Sequence, residues 1–178
     1  MNETVKAKRA IISFCPGIEV EGFELPDGSY HVSITTASMA IGFAKNWLSR
    51  NISRSGNTFK ALQLIGFTSL VSEVVTPSDG GEQLSKLISI DDFSRMIIYA
   101  ASKGKKEAIA LNMALTKMSL TDFFRDAFGA RPLTIEEKRK AFYETYVASL
   151  GWEGWLIMDR WEDEIILESY LFLTGDMN

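Results

Sequence analysis

The sequence predicts an α+β fold: N-terminal β-hairpins with a helix-turn-helix-like unit, followed by a mainly helical C-terminal half. Pro26-Asp27-Gly28 is a turn signal. After it, apolar Tyr30, Val32 and Ile34 alternate with polar Ser29, His31 and Ser33, the period of a half-buried strand. From Asp91 the period lengthens to that of a helix, with Phe93, Ile97, Ile98 and Ala101 on one face. Between these regimes lies a window, Gly28 to Ser72, without a single aspartate or glutamate.

In chain order, Ala10–Phe14 is a short strand closed by Cys15-Pro16-Gly17. Ile18–Leu25 and Ser29–Ile34 form a hairpin, which puts His31 on a polar face as a surface or structural residue. Thr35 or Thr36 can cap a short helix to Ile41, which Gly42 ends. Lys45–Ile52 makes a second helix with Trp47 and Leu48 inward. Ser53–Thr58 reads as a loop and Phe59–Ile65 as an apolar segment. A second hairpin pairs a strand in Phe67–Thr76 with one at Leu84–Ile90, around the loop Pro77–Gly81. Helices then run from Asp91, over Lys105–Met118 and over Leu120–Phe128. Thr134-Ile-Glu-Glu137 is a capping box that opens a helix to about Leu150. Ile165–Leu167 and Tyr170–Leu173 fit either strand or helix, and no internal repeat stands out. The expected organisation is an α+β domain over 1–130 with an acidic, aromatic-rich extension over 131–178 packed on it.

At 178 residues and 46% apolar, the chain can bury a sizeable core. One cysteine, Cys15, and one histidine exclude an internal disulfide and a Cys/His zinc shell, so no metal and no cofactor is expected. No secretory signal and no apolar run near ~20 residues is present, so the expectation is a cytoplasmic protein that does not enter a membrane. The formal charge of −4 averages two regions. Residues 1–140 carry 18 Lys/Arg against 15 Asp/Glu, and 141–178 carry one against eight.

The acid-free window holds Lys45, Arg50, Arg54 and Lys60, where about six acids would be expected at the chain's average frequency. Within it, Ala37 and Ser38 are the small residues of a helix-turn-helix, Gly42 the turn and Leu48 the residue that seats the second helix. The exposed surface of that helix then presents Lys45, Asn46, Ser49 and Arg50, and Arg54 and Lys60 extend the strip. Lysine and arginine neutralise phosphate or pair with guanine, and asparagine can pair with adenine, so DNA is the expected partner.

The run Gly28-Ser-Tyr-His-Val-Ser-Ile-Thr-Thr-Ala-Ser-Met-Ala-Ile-Gly42 resembles the opening of the BRO-N and KilA-N domains of phage and large-DNA-virus proteins. Ile88-Ser-Ile-Asp-Asp-Phe-Ser-Arg-Met-Ile-Ile-Tyr-Ala-Ala-Ser-Lys-Gly104 is similar to the second half of those domains, and the likeness spans residues 20–128. The family's tryptophan near the end of the last helix has no counterpart here beyond Phe123 or Phe124. The resemblance implies a DNA-binding transcription regulator of phage or mobile-element type, such as an antirepressor. Two other classes compete with it. Most aromatics of the last third, Phe123, Phe124 and Phe128 among them, are expected in the core by their periodic spacing, and the rest suit a homodimer or a module that binds a repressor protein. A metal-dependent nuclease would rest on Asp27 and Glu73. However, Asp27 is explained by its turn, Asp91-Asp92 by helix capping, and Gly80-Gly81 lacks a phosphate-loop context, so no catalytic residue is expected.

Overall fold

The computed structural model describes residues 7–78 and 80–151. Its architecture is the expected α+β: a five-stranded antiparallel sheet from the N-terminal half, then helices. The strands are β1 (Lys8–Cys15), β2 (Ile18–Glu24), β3 (Tyr30–Ser33), β4 (Ser72–Ser78) and β5 (Gly81–Ser89). The helices are α1 (Ile34–Ala40), α2 (Trp47–Arg54), α3 (Asn57–Leu64), α4 (Ile90–Ser102), α5 (Lys106–Ala127) and α6 (Ile135–Leu150). The reading of Trp152–Leu173 lies outside the described residues.

Both expected hairpins form, β2–β3 around Pro26-Asp27-Gly28 and β4–β5 farther on. Asp27 fixes the first turn by accepting from the Ser29 amide at 2.9 Å and the Ser29 hydroxyl at 2.6 Å. The sheet order is β1-β2-β3-β5-β4, so the hairpins join only where β3 pairs with β5. That junction has three pairs: His31 with Ser89, Val32 with Ile88, and Ser33 with Leu87. Its register is two-fold symmetric about Val32–Ile88. Each strand also runs straight into a helix, α1 from Ser33-Ile34-Thr35-Thr36 and α4 from Ser89-Ile90-Asp91-Asp92. A hairpin–helix unit therefore occurs twice, although no repeat stands out in the sequence. The two copies share Ser-Ile at the strand–helix joint, and behind it Ala37 matches Phe93 and Ile41 matches Ile97, all four buried.

The third helical residue of each copy does the same work. Thr36 Oγ1 accepts from the Glu21 amide at 3.0 Å, tying α1 to β2. Asp92, fully buried, accepts from the Thr68 amide at 2.8 Å and from its hydroxyl at 2.6 Å, tying α4 to the loop before β4. The Asp92 tether corrects two readings. Phe67–Val71 is a loop rather than strand, because its backbone bonds to a carboxylate instead of a neighbouring strand, and β4 begins only at Ser72. Asp92 is a core ligand of that loop and not merely an acid near a helix start. The start of α1 also differs: Ser33 and not Thr35 or Thr36 is the N-cap, because Ile34 already continues β3 into the helix.

One face of the sheet packs Val20, Val32 and Ile88 against Phe93, Met96, Ala100 and Leu111 of the helices. The other holds a smaller cluster of Phe23, Val74 and Leu87. Cys15 is buried, and burial pushes its thiol pKa up. Helix α6 joins the main core through Phe142 and Tyr146; Phe142 stacks on Phe14 at 5.6 Å, and Arg139 Nε donates to the Ser13 carbonyl at 3.3 Å. The expected helices over 105–118 and 120–128 are one continuous α5.

The capping box at Thr134 is present, and Arg131 grips the same Glu137 carboxylate with contacts of 2.8 and 2.5 Å. These bonds, that from Arg131 first, hold Glu137 down to about 2 from an ordinary 4.5. Their contribution is present above pH 4.5 and fades as pH falls toward 2. An NMR titration should find the Thr134 amide shift moving with a midpoint near 2, and Glu137→Gln should abolish that transition. Asp92→Ala removes the buried carboxylate that holds the Thr68 amide and hydroxyl to α4 and should cost about 1–3 kcal/mol of unfolding free energy in a urea titration.

Candidate nucleic-acid interface

The basic window becomes a three-helix excursion, α1 to α3, inserted between β3 and β4. Its geometry starts at Gly42, whose φ of +82° is a left-handed conformation that favours glycine. The Phe43 amide reaches back to the Ser38 carbonyl at 3.0 Å, so α1 closes through this glycine as the sequence predicted. The Glu107 carboxylate of α5 lies over Gly42, within 2.5 Å of where a Cβ would stand. An acid absent from the window in sequence thus approaches it in space.

The second helix starts two residues later than Lys45. Phe43 and Trp47 stack face to face, with centroids 4.0 Å apart and planes 1° from parallel. That stack is bridged by a turn in which the Trp47 amide donates to the Ala44 carbonyl at 2.9 Å. Lys45 and Asn46 therefore lie in the turn, with Asn46 as N-cap. Leu48 is fully buried and seats the helix, as expected. Ser55, at φ +48°, ends α2, and Gly56 leads directly into α3. What reads as the loop Ser53–Thr58 is therefore only two residues long, and the apolar segment is helix α3.

The six predicted contact residues are not one helix face. Lys45, Arg50, Arg54 and Lys60 are exposed, and none of them makes an ion pair among the described residues. Asn46 is half-buried. With its amide oriented to accept, its oxygen receives Arg50 Nη2 at 2.8 Å and Nε at 3.2 Å. Ser49 is half-buried too, and faces a polar groove of about 310 Å³ that it shares with Thr36, Ser85 and Lys86. The structure thus keeps four cations of the strip outward and turns Asn46 and Ser49 to internal duties.

Sequence reasoning missed a second group of cations beside this strip. Tyr99 of α4 lies 6.0 Å from Trp47, which extends the Phe43–Trp47 stack across to the α4–α5 turn. Lys103 Nζ sits 5.6 Å from the centroid of Tyr99, and Lys105 Nζ sits 4.7 Å from that of Phe43. The signal was present as Lys103-Gly-Lys-Lys106 at a helix break, but only the aromatic stack brings it to the window.

Neither carboxylate of the nuclease reading is free. Asp27 is bound into its own turn, and Glu73 pairs with Lys86 at 3.7 Å. Among the described residues no three His, Cys, Asp or Glu side chains could hold a metal ion, and no helix is long and apolar enough to cross a membrane. Protein-family models, curated proteins and solved structures offer no match to this chain.

Gly42→Ala should cost about 1–2 kcal/mol in thermal or urea unfolding, mostly as left-handed backbone strain. The flexible tip of Glu107 can move aside, so adding Glu107→Ala should recover little of that loss.

Proposed function

We propose that this chain binds duplex DNA as a regulator of phage or mobile-element type, through α2 and the residues flanking it. The observation that carries this reading is the row of four exposed cations, Lys45, Arg50, Arg54 and Lys60, unpaired among the described residues of a chain with net charge −4. Cations kept out of ion pairs on an acidic protein contribute little to folding and much to attracting a polyanion. An eight-residue α2 is about 12 Å long, enough to lie against one major groove. Because Asn46 is engaged with Arg50 and Ser49 faces the groove under α1, phosphate contacts dominate and base readout is limited. The likeness of residues 20–128 to BRO-N and KilA-N domains supports the same assignment.

A second reading, a module that binds a repressor protein or another copy of the chain, is favoured by one observation. Phe123, Phe124 and Phe128, expected in the core, are 73, 64 and 83% exposed near the end of α5, with Leu120 beside them 55% exposed. Their spacing is that of a buried stripe, but among the described residues no element covers it. Such a patch on a protein surface marks an interaction site.

A gel mobility-shift titration in low salt should retard duplex DNA, with these four cations contributing about 3 to 4 to the magnitude of the slope of log K against log salt. Lys45→Ala, Arg50→Ala and Arg54→Ala should each weaken binding and reduce the slope by about 1. No retardation of any duplex by the wild-type chain would reject the proposal. A complex with a repressor protein that survives all three substitutions would favour the second reading.

A further inference from the structure

We infer that the α4–α5 turn is a second DNA-backbone contact, in which Lys103, Lys105 and Lys106 take phosphates of the same duplex that α2 engages. The inference rests on the DNA-binding reading of α2. It concerns residues far away in sequence and outside the acid-free window.

Three observations carry it. First, the aromatic stack fixes where these lysines sit. Phe43 and Trp47 belong to the turn that holds Lys45, and Lys105 lies over Phe43 while Lys103 lies over Tyr99, the next ring. Lys45 and the turn lysines therefore border one aromatic wall. Second, the rings hold the lysine stems. A lysine spread in water loses rotamer freedom when it meets a phosphate, whereas one already seated on a ring has lost part of it beforehand. A ring face neutralises no charge, and Lys103 and Lys106 are exposed while Lys105 is half-buried. Lys103, Lys105 and Lys106 make no ion pair among the described residues. Third, the positions oppose helix stability. Lys105 is the N-cap of α5 and Lys106 its first residue, where the helix dipole disfavours positive charge. Only Glu107 in the first turn offsets them. Charges placed against the dipole and left unpaired are explained by a polyanion outside the protein.

The two contacts form a discontinuous footprint. Arg50, Arg54 and Lys60 hold one stretch of phosphates along α2 and α3, and the turn lysines hold another beyond Lys45. Gly104, at φ +72°, is the hinge of that turn and brings Lys103 and Lys105 to adjacent rings.

The test compares three full-length proteins on one duplex across a salt series: wild type, Arg50→Gln/Arg54→Gln, and Lys103→Gln/Lys105→Gln/Lys106→Gln. The lysine variant should keep the wild-type melting temperature within a few degrees and lose 2–3 from the magnitude of the salt slope. Single Lys103→Gln and Lys106→Gln proteins, each losing about 1, serve if the triple variant folds poorly. An unchanged slope in the lysine variants, with binding weakened in the arginine variant, would overturn this inference and leave the α2 reading standing. Loss in the lysine variants with no effect of the arginine substitutions would support the turn site and overturn the α2 reading. A wild-type protein that binds no duplex overturns both.

Discussion

Three residue pairs between β3 and β5 hold the sheet together. Each hairpin is local, closed by its own turn, and neither buries much apolar area alone. Only when Val32 meets Ile88 do the strands present one continuous face, with Val20 beside them, for α1 and α4 to cover. The junction is short because each strand turns into a helix, β3 after Ser33 at one end and β5 after Ser89 at the other. Both helices therefore leave from the sheet's centre. This constraint places the start of α1, and through it Gly42, the aromatic stack and the cations beyond.

The junction costs loop entropy, since the segment between Ser33 and Leu87 must close before the pairs form. Local ties reduce that cost. Thr36 pins the start of α1 to β2, and Asp92 pins the loop ahead of β4 to the start of α4. A buried carboxylate with two short hydrogen bonds is an unusual anchor for a loop, but it answers a specific need. Phe67 is buried while its neighbours Leu64 and Leu70 are exposed, so apolar packing alone would not settle which residue turns inward. The carboxylate does, by fixing the backbone one residue later.

Much of the fold was legible because its signals are local. Pro26-Asp27-Gly28, the Thr134–Glu137 box, Gly42 and the buried Leu48 each act over a few residues, and the structure keeps all of them. The errors share a cause, which is that a distant group outweighed local propensity. Phe67–Val71 has strand-forming composition but bonds to Asp92. Lys45 and Asn46 fit a helix pattern but are drawn into a turn by the Phe43–Trp47 stack. The spacing of Phe123, Phe124 and Phe128 matches a core stripe, yet these residues are exposed, with no other described element packed over them. Of the proposed interface, the cations could be read from charge pattern, whereas the inward roles of Asn46 and Ser49 and the nearness of Lys103 and Lys105 depend on tertiary contacts.

The two-fold register about Val32–Ile88 has a consequence for how the chain is built. Two separate hairpin–helix peptides would meet through the same antiparallel contact, as a complex of two unlike chains of similar build. In this protein the partners are covalently joined, so their association is intramolecular and independent of concentration. The covalent joint itself is freed from any part in the sheet. It is the stretch from Ile41 to Val71, and lengthening such a joint adds loop-closure cost only logarithmically. The cations at Lys45, Arg50, Arg54 and Lys60 all ride on that joint, so the binding chemistry can vary there while the paired strands stay as they are.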